Sequence, residues 1–243
     1  EKFMSTLKVY SPYDEHLIKK VPFSDAKQAE KALTTAHELY TNRDAWLKPY
    51  ERISILEKAL HYVEEHLEDL AKAAAEEGGK PLMDSRVEAD RTKLGIKVAI
   101  EHISQLTGTE IPMNISTSSE NRMAYTYREP RGVVLAISAF NHPLNLITHQ
   151  VIPAVAVGAP VIVKPASATP ISCFNLVDIL HKSGLPKEWA QVCACDNKVA
   201  EQLVTDPRTS FLSFIGSAKV GWYLRSKLPP GASAALEHGG AAP

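Results

Sequence analysis

The chain has 243 residues, 44% of them apolar and 23% charged, an ordinary balance for a globular protein and enough to bury a substantial core in one large or two small domains. A formal net charge of −1 gives no pull toward nucleic acid, no apolar run approaches a membrane span, and neither nucleic acid nor membrane is expected as a partner. The first residues lack the basic-apolar-small order of a signal peptide, and the three cysteines, Cys173, Cys193 and Cys195, cannot all pair with one another, so the cytoplasm is the expected compartment.

Residues 5–23 read as short strand pieces and turns. Ser24 or Asp25 is placed to cap a helix running to about Leu47, with Ala26, Ala29, Leu33, Ala36 and Tyr40 on its apolar face and Pro49 as its breaker. The clearest periodicity follows. Ile53, Leu56, Leu60, Val63, Leu67, Leu70 and Ala74 step by three and four, predicting one long amphipathic helix that ends at Gly78-Gly79. A third helix is expected from about Met83 to Leu106. The polar stretch Asn114 to Asn121 marks a boundary or excursion, and Arg122 to Arg128 alternates like a strand. From Arg131 onward strands and helices alternate. Strands are expected at 133–137, 160–164, 190–194, 211–215 and 233–236, and helices near 145–157, 170–183, 197–205 and 217–227. The fold class is therefore α/β: a Rossmann-like open parallel sheet with flanking helices, preceded by a layer of long amphipathic helices.

Polar residues at strand ends are the candidates for chemistry, because an open α/β sheet binds ligands outside the carboxyl ends of its strands. Asn141 follows the first strand of the alternating region. Its amide N–H can serve a developing oxyanion, or its side chain can close an Asx-turn before Pro143. Lys164 ends an apolar strand; it reads either as a solvated head or, with Ser167 and Thr169 just beyond Pro165, as a partner for a sugar diol. Gly216-Ser217 runs from strand into helix, either as an ordinary cap or as an anion site for a phosphate. Glu237 ends a strand beside His238-Gly239-Gly240, where a carboxylate is either a surface group or a general base. Cys193-Ala-Cys195 fits no metal-ligand spacing, no metal is expected, and both the G-x-G-x-x-G and the Walker fingerprints are absent.

The order of these corners carries more than any one of them. Phe140-Asn141-His142-Pro143, Lys164-Pro165-Ala166-Ser167, Phe214-Ile215-Gly216-Ser217 and Leu236-Glu237-His238-Gly239-Gly240 together resemble the aldehyde dehydrogenase superfamily. Glu51-Arg52 and Glu77-Gly78-Gly79-Lys80-Pro81 look like its ER…L and E-x-GKP elements. The resemblance covers essentially the whole chain but the N-terminal, cofactor-binding half of a typical member. It implies oxidation of an aldehyde to a carboxylic acid with NAD or NADP through a Cys thioester. It also implies roles. Asn141 would be the oxyanion amide and Glu237 the general base. Lys164 would bind the adenosine ribose, with Ser167 beside it. Gly216 and Ser217 would meet the pyrophosphate, Val220 would flank the adenine, Ile137, Ala139 and Phe140 would line the cofactor cleft, and His238 would join them. Residues 1–113 and 131–243 would form the NAD(P)-binding domain. Residues 114–130 would form an oligomerisation ribbon in a homodimer or homotetramer.

Three departures from the family pattern stand out. All three cysteines precede Glu237, so none matches the nucleophile's position, and the catalytic domain is expected to be absent from this chain. Ser167 stands where NAD-preferring members carry Glu, which removes a charge that would repel a 2′-phosphate. Ala241-Ala242 replace a usual Lys-Asn. Phe140 in place of Trp is shared with subgroups acting on semialdehydes and phosphorylated aldehydes. The competing expectations are a catalytically silent dinucleotide-binding or scaffolding module and an acyl-CoA or acyl-phosphate reductase.

Overall fold

The computed structural model describes residues 5–240; Ala241 and Ala242 lie outside them. A hairpin of β1 (Thr6–Tyr10) and β2 (Leu17–Pro22) leads into four helices: α1 (Ala26–Thr41), α2 (Pro49–Glu65), α3 (Leu67–Gly78) and α4 (Leu82–Ile103). Asp25 caps α1 by accepting from the Gln28 N–H at 2.8 Å, and the Gln28 side chain accepts from the Asp25 N–H in return. Two sequence expectations are corrected here. Helix α1 ends at Thr41, and Pro49 opens α2 at its first turn, where a missing N–H costs nothing. The single long helix expected over 53–78 is two helices joined at His66. There the backbone leaves helical geometry (φ −113°, ψ 20°) while the His66 imidazole stacks on Tyr62 at 4.5 Å.

After α4 the short strands β3 (Glu110–Ile111) and β4 (Ala124–Tyr125) pair antiparallel. The strand expected over 122–128 is thus reduced to two laddered residues. The alternating region then builds a five-stranded parallel sheet. Its members are β5 (Val133–Ile137), α5 (Pro143–Val157), β6 (Val161–Lys164), α6 (Ile171–Lys182), β7 (Ala190–Val192), α7 (Asn197–Thr205), β8 (Thr209–Gly216), α8 (Ala218–Ser226) and β9 (Ser233–His238). The spatial order is β7-β6-β5-β8-β9. The chain moves outward from β5 to β7, then returns to the other side of β5, so the strand order reverses between β5 and β8. A reversal of this kind opens a crevice at the carboxyl ends.

Alternating side chains divide the sheet between two apolar cores. Val134, Ala136, Val161 and Val163 face α5, α6 and the α2–α4 layer. Val133, Leu135, Ile137, Ile162, Leu212 and Phe214 face α1, α7 and α8.

Buried charges of the helical layer lock the two crossover helices in place. Glu77, at the end of α3, accepts from the N–H groups of Ile171 (2.6 Å) and Ser172 (2.8 Å) at the start of α6. Glu88, on α4, accepts from Leu144 (2.7 Å) and Asn145 (2.9 Å) at the start of α5. Arg52, on α2, donates from Nη1 to the Ala156 carbonyl in the last turn of α5. Each group satisfies helix-end amides or carbonyls that would otherwise be buried without partners.

Burial pushes the Glu77 carboxyl from 4.5 up to about 7, against the opposing pull of its Ser172 and Ile171 donors. The folded chain therefore holds a proton that the unfolded chain has already released between those two values. Stability falls as pH rises from about 4.5 to about 7, by a term on the order of 3 kcal/mol. The expected result is that Glu77→Gln flattens this limb of the stability curve. Denaturant unfolding at pH 4.5 and 7.5, with an equal change for wild type and variant, would refute it.

Candidate active site

The carboxyl ends of β5, β6, β8 and β9 lie in register, with Ile137 opposite Lys164 and Phe214, and Gly216 opposite His238. The amide of Gln150, on α5, donates to the Ile137 carbonyl (3.1 Å) and the Ser213 carbonyl (2.9 Å), tying β5 to β8 where the strand order reverses. The Ser138 N–H donates to the Lys164 carbonyl at 3.1 Å and holds β6 level with them.

One group of candidates gathers on the α8 side of this edge. Strand alternation places Ile137, Lys164, Gly216 and His238 on the same face as Ile162, Leu212 and Leu236, which pack in the α1/α7/α8 core. Lys164 is 7% exposed, and among the described residues the one hydrogen-bond acceptor in reach of its ammonium is the Pro165 carbonyl at 3.4 Å. A buried ammonium with spare donors fits sugar hydroxyls brought to it. Ser167 is exposed in the turn that follows. Ser217 caps α8, its Oγ accepting from the Val220 N–H at 3.5 Å, and Val220 is 45% exposed on the first turn. The positive end of α8 thus opens toward the crevice beside Gly216, where the Phe214 ring fills the space a side chain would need. His238 takes a different position from the other members. Its ring lies edge-on to Phe214 (6.2 Å) and Trp222 (5.4 Å), and a Cβ on Gly221 would overlap its Nε2. Gly221 is therefore required for β9 and α8 to approach.

The second group rises on the α5 side. Ala139, Phe140 and Asn141 form the corner between β5 and α5, with Phe140 65% exposed and Asn141 exposed. Glu237 alternates with His238 and so shares the face of Ala235, which lines a groove together with His149, Pro153 and Val157 of α5. Asn141, in the corner after β5, and Glu237, near the end of β9, both belong to the carboxyl end of the sheet. One strand, β8, lies between theirs, which is about 10 Å of sheet at about 4.8 Å per strand.

The corner that carries Asn141 is anchored at successive backbone points. Thr169 Oγ1 donates to the Phe140 carbonyl (3.3 Å), and Lys80 Nζ donates to the Asn141 carbonyl (3.2 Å) and to Nδ1 of His142 (3.4 Å). Lys80 also pairs with the buried Glu88 carboxylate. Gly79 makes this reach possible: its φ of +60° is left-handed, and Pro12 occupies the space a side chain would need. Sequence reasoning placed Glu77 and Lys80 in a motif without a role and passed over Glu88 altogether. The available signal was the spacing of Ser85, Glu88, Ala89, Thr92 and Ile96, which puts a carboxylate inside the buried stripe of α4.

The three cysteines are free and buried. Cys173 is buried in α6, where burial pushes its thiol well up and leaves it inert. Cys193 and Cys195 are buried in the core on the α8 side. Among the described residues no cluster of three or more His, Cys, Asp or Glu could hold a metal ion.

The model of the Aldehyde dehydrogenase family matches residues 1–243. A 3-sulfolactaldehyde dehydrogenase of Priestia megaterium is 33% identical over 222 residues, 91% of this chain and 46% of the relative. A lactaldehyde dehydrogenase of Methanocaldococcus jannaschii is 34% identical over 224 residues, 90% and 47%. Among solved structures, aldehyde dehydrogenase 21 of Physcomitrella patens in complex with the reaction product succinate superposes with a TM-score of 0.93 at 32% identity, covering 100% of this chain and 50% of that one. A glyceraldehyde-3-phosphate dehydrogenase of Methanocaldococcus jannaschii complexed with NADP gives 0.87 at 31% identity, covering 99% and 52%. The chain spans about half the length of the curated relatives it matches.

Proposed function

Because the chain belongs to the aldehyde dehydrogenase family, we propose that it is the cofactor-binding half of an enzyme that oxidises an aldehyde to a carboxylic acid with NAD or NADP. The observation that carries this reading is the convergence, at the strand-order reversal, of a buried ammonium with spare donors and a Ser-capped helix N-terminus. Lys164 would take the ribose hydroxyls, with Ser167 beside it. Gly216 and Ser217 would meet the pyrophosphate at the start of α8, Val220 would flank the adenine, and Ile137, Ala139 and Phe140 would line the cleft. His238 supports this set from behind through its packing on Gly221 and Trp222. When bound, the nicotinamide supplies a hydride acceptor. Asn141 would hold the oxyanion formed when a thiolate adds to the aldehyde carbonyl, and Glu237 would take a proton from the water that hydrolyses the thioester.

We assign the NAD(P)-binding domain to residues 1–113 and 131–243, and the excursion 114–130 to contact with a partner subunit in a homo-oligomer. The exposed Ile115, Met123, Tyr125 and Tyr127 support that contact surface. The three free cysteines favour a reduced compartment, the cytoplasm. No helix among the described residues is long and apolar enough to cross a membrane.

Calorimetric titration of the whole enzyme with NAD and with NADP tests the reading. Both are expected to bind, with dissociation constants within about a hundredfold of each other, a gap of under about 2.7 kcal/mol. Ser167→Glu places a carboxylate by the ribose and is expected to weaken NADP against NAD by at least about tenfold. Binding of neither dinucleotide would overturn the assignment; an unchanged ratio in the variant would remove Ser167 from the cofactor site.

A further inference from the structure

We propose that Lys80 and Glu88 are positioning residues that aim the Asn141 amide, a proposal that rests on the reading of Asn141 as the oxyanion donor. Both come from the helical layer, far from Asn141 in sequence. Lys80 lies in the turn between α3 and α4, and Glu88 two turns into α4. Glu88 is buried, with its side chain wholly covered, and each of its oxygens has a task. Oε1 accepts from the N–H groups of Leu144 and Asn145, at 2.7 and 2.9 Å, and Oε2 receives the Lys80 ammonium. The same ammonium donates to the Asn141 carbonyl at 3.2 Å. The pair therefore grips the chain on both sides of the Asn141–Pro143 segment, at the carbonyl of residue 141 and at the amides of 144 and 145. Such a grip leaves the Asn141 backbone little freedom, and its exposed side chain then points from a fixed base.

A second consequence follows from where Glu88 binds. The N-terminus of a helix is an anion site because its first N–H groups are unpaired. At α5 two of those groups are spent on Glu88, so they are withdrawn from competition for a substrate oxyanion. The Glu88 charge is in turn balanced by Lys80, which keeps a bare buried carboxylate away from the place where negative charge develops. The pair thus directs the oxyanion to the Asn141 side chain and away from the helix end. Misplacing a donor by about 1 Å costs about a hundredfold in rate.

The test is the rate of the first turnover in the whole enzyme, followed as NAD(P)H absorbance. Lys80→Met alone leaves Glu88 buried and unpaired and endangers folding, so it is paired with Glu88→Gln, whose amide oxygen still accepts from the α5 N-terminus. The double variant, verified as folded by circular dichroism, is expected to slow the first turnover by about ten- to a hundredfold with unchanged dinucleotide affinity. Lys80→Arg, which keeps a charged donor, is expected to recover part of the rate. In an Asn141→Ala background the same double change is expected to cost less than about twofold, because the grip acts through the amide that is gone. Equal slowing in both backgrounds, or no slowing in the folded double variant, overturns the positioning role alone. If Asn141→Ala by itself leaves the first turnover untouched, the oxyanion reading fails, and the positioning role fails with it.

Discussion

Replacing Asn141 by alanine is expected to slow the first turnover of the whole enzyme by about 10² to 10³, a loss of about 2.7–4 kcal/mol of transition-state stabilisation. The size follows from the lack of substitutes. The α5 amides at 144 and 145 already serve Glu88, and the Lys80 ammonium is taken up by Glu88, the Asn141 carbonyl and His142. The side-chain amide of Asn141 is an exposed donor at this corner, and neither the α5 amides nor the Lys80 ammonium is free to take its place when it is removed. Dinucleotide affinity is expected to hold, because the adenosine-side groups Lys164 and Ser217 lie on the other face of the sheet edge. The measurement is a rapid-mixing burst of NAD(P)H at saturating cofactor and aldehyde. A burst rate within threefold of wild type would show that Asn141 is a turn residue and nothing more.

Much of the sheet was legible because local signals dominate there. Val133 to Ile137 and Val161 to Val163 are unbroken apolar runs flanked by turn residues or, at Lys164, a charge, and both strands appear within a residue of their expected bounds. The helix spacing of 197–205 was equally local and reproduces the observed α7. What local pattern cannot carry is a kink that leaves the period intact. His66 interrupts a stripe from Ile53 to Ala74 that keeps its spacing on both sides, so the joint between α2 and α3 was invisible to periodicity. The ribbon at 122–128 failed for the opposite reason: strand propensity was present, but among the described residues β3 alone offers it a partner, at two positions.

The candidate site divides in the same way. Residues at strand ends announce themselves through the strand, so Asn141, Lys164, Gly216 and Glu237 could be nominated as candidates from the sequence. The groups that hold them are contributed from a distance. Glu88 reaches Leu144, Glu77 reaches Ile171 and Arg52 reaches Ala156, across 56, 94 and 104 residues respectively. On the sequence these are charges on amphipathic helices and look like solvated faces. Only the packing of α2–α4 on α5 and α6 turns them into caps, since a buried helix end must find partners somewhere. That gives the helical layer its work in this fold. It covers the sheet and also fixes the axial position of the two helices that set the corner carrying Asn141.

Glu237→Gln is expected to leave the first-turnover burst intact and to lower steady-state turnover by about 10² to 10⁴, the range for loss of a positioned general base. The amide keeps the size and polarity of the side chain but cannot accept a proton from water. Thioester formation would proceed while its hydrolysis stalls, so the burst amplitude stays near one per site and the following phase flattens. The neighbouring histidine cannot take over. Strand alternation turns His238 to the opposite face of β9, where its ring is held against Phe214, Trp222 and Gly221. His142 on the other flank points Nδ1 at the Lys80 ammonium. The deficit should also resist added salt, since it concerns proton transfer and not a screened surface charge. Dinucleotide affinity is expected to stay within about twofold, because the change lies on the α5 face, away from Lys164. Steady-state turnover equal to wild type, under conditions where hydrolysis of the thioester limits the rate, would take the base role away from Glu237 and leave it a surface carboxylate at the end of an edge strand.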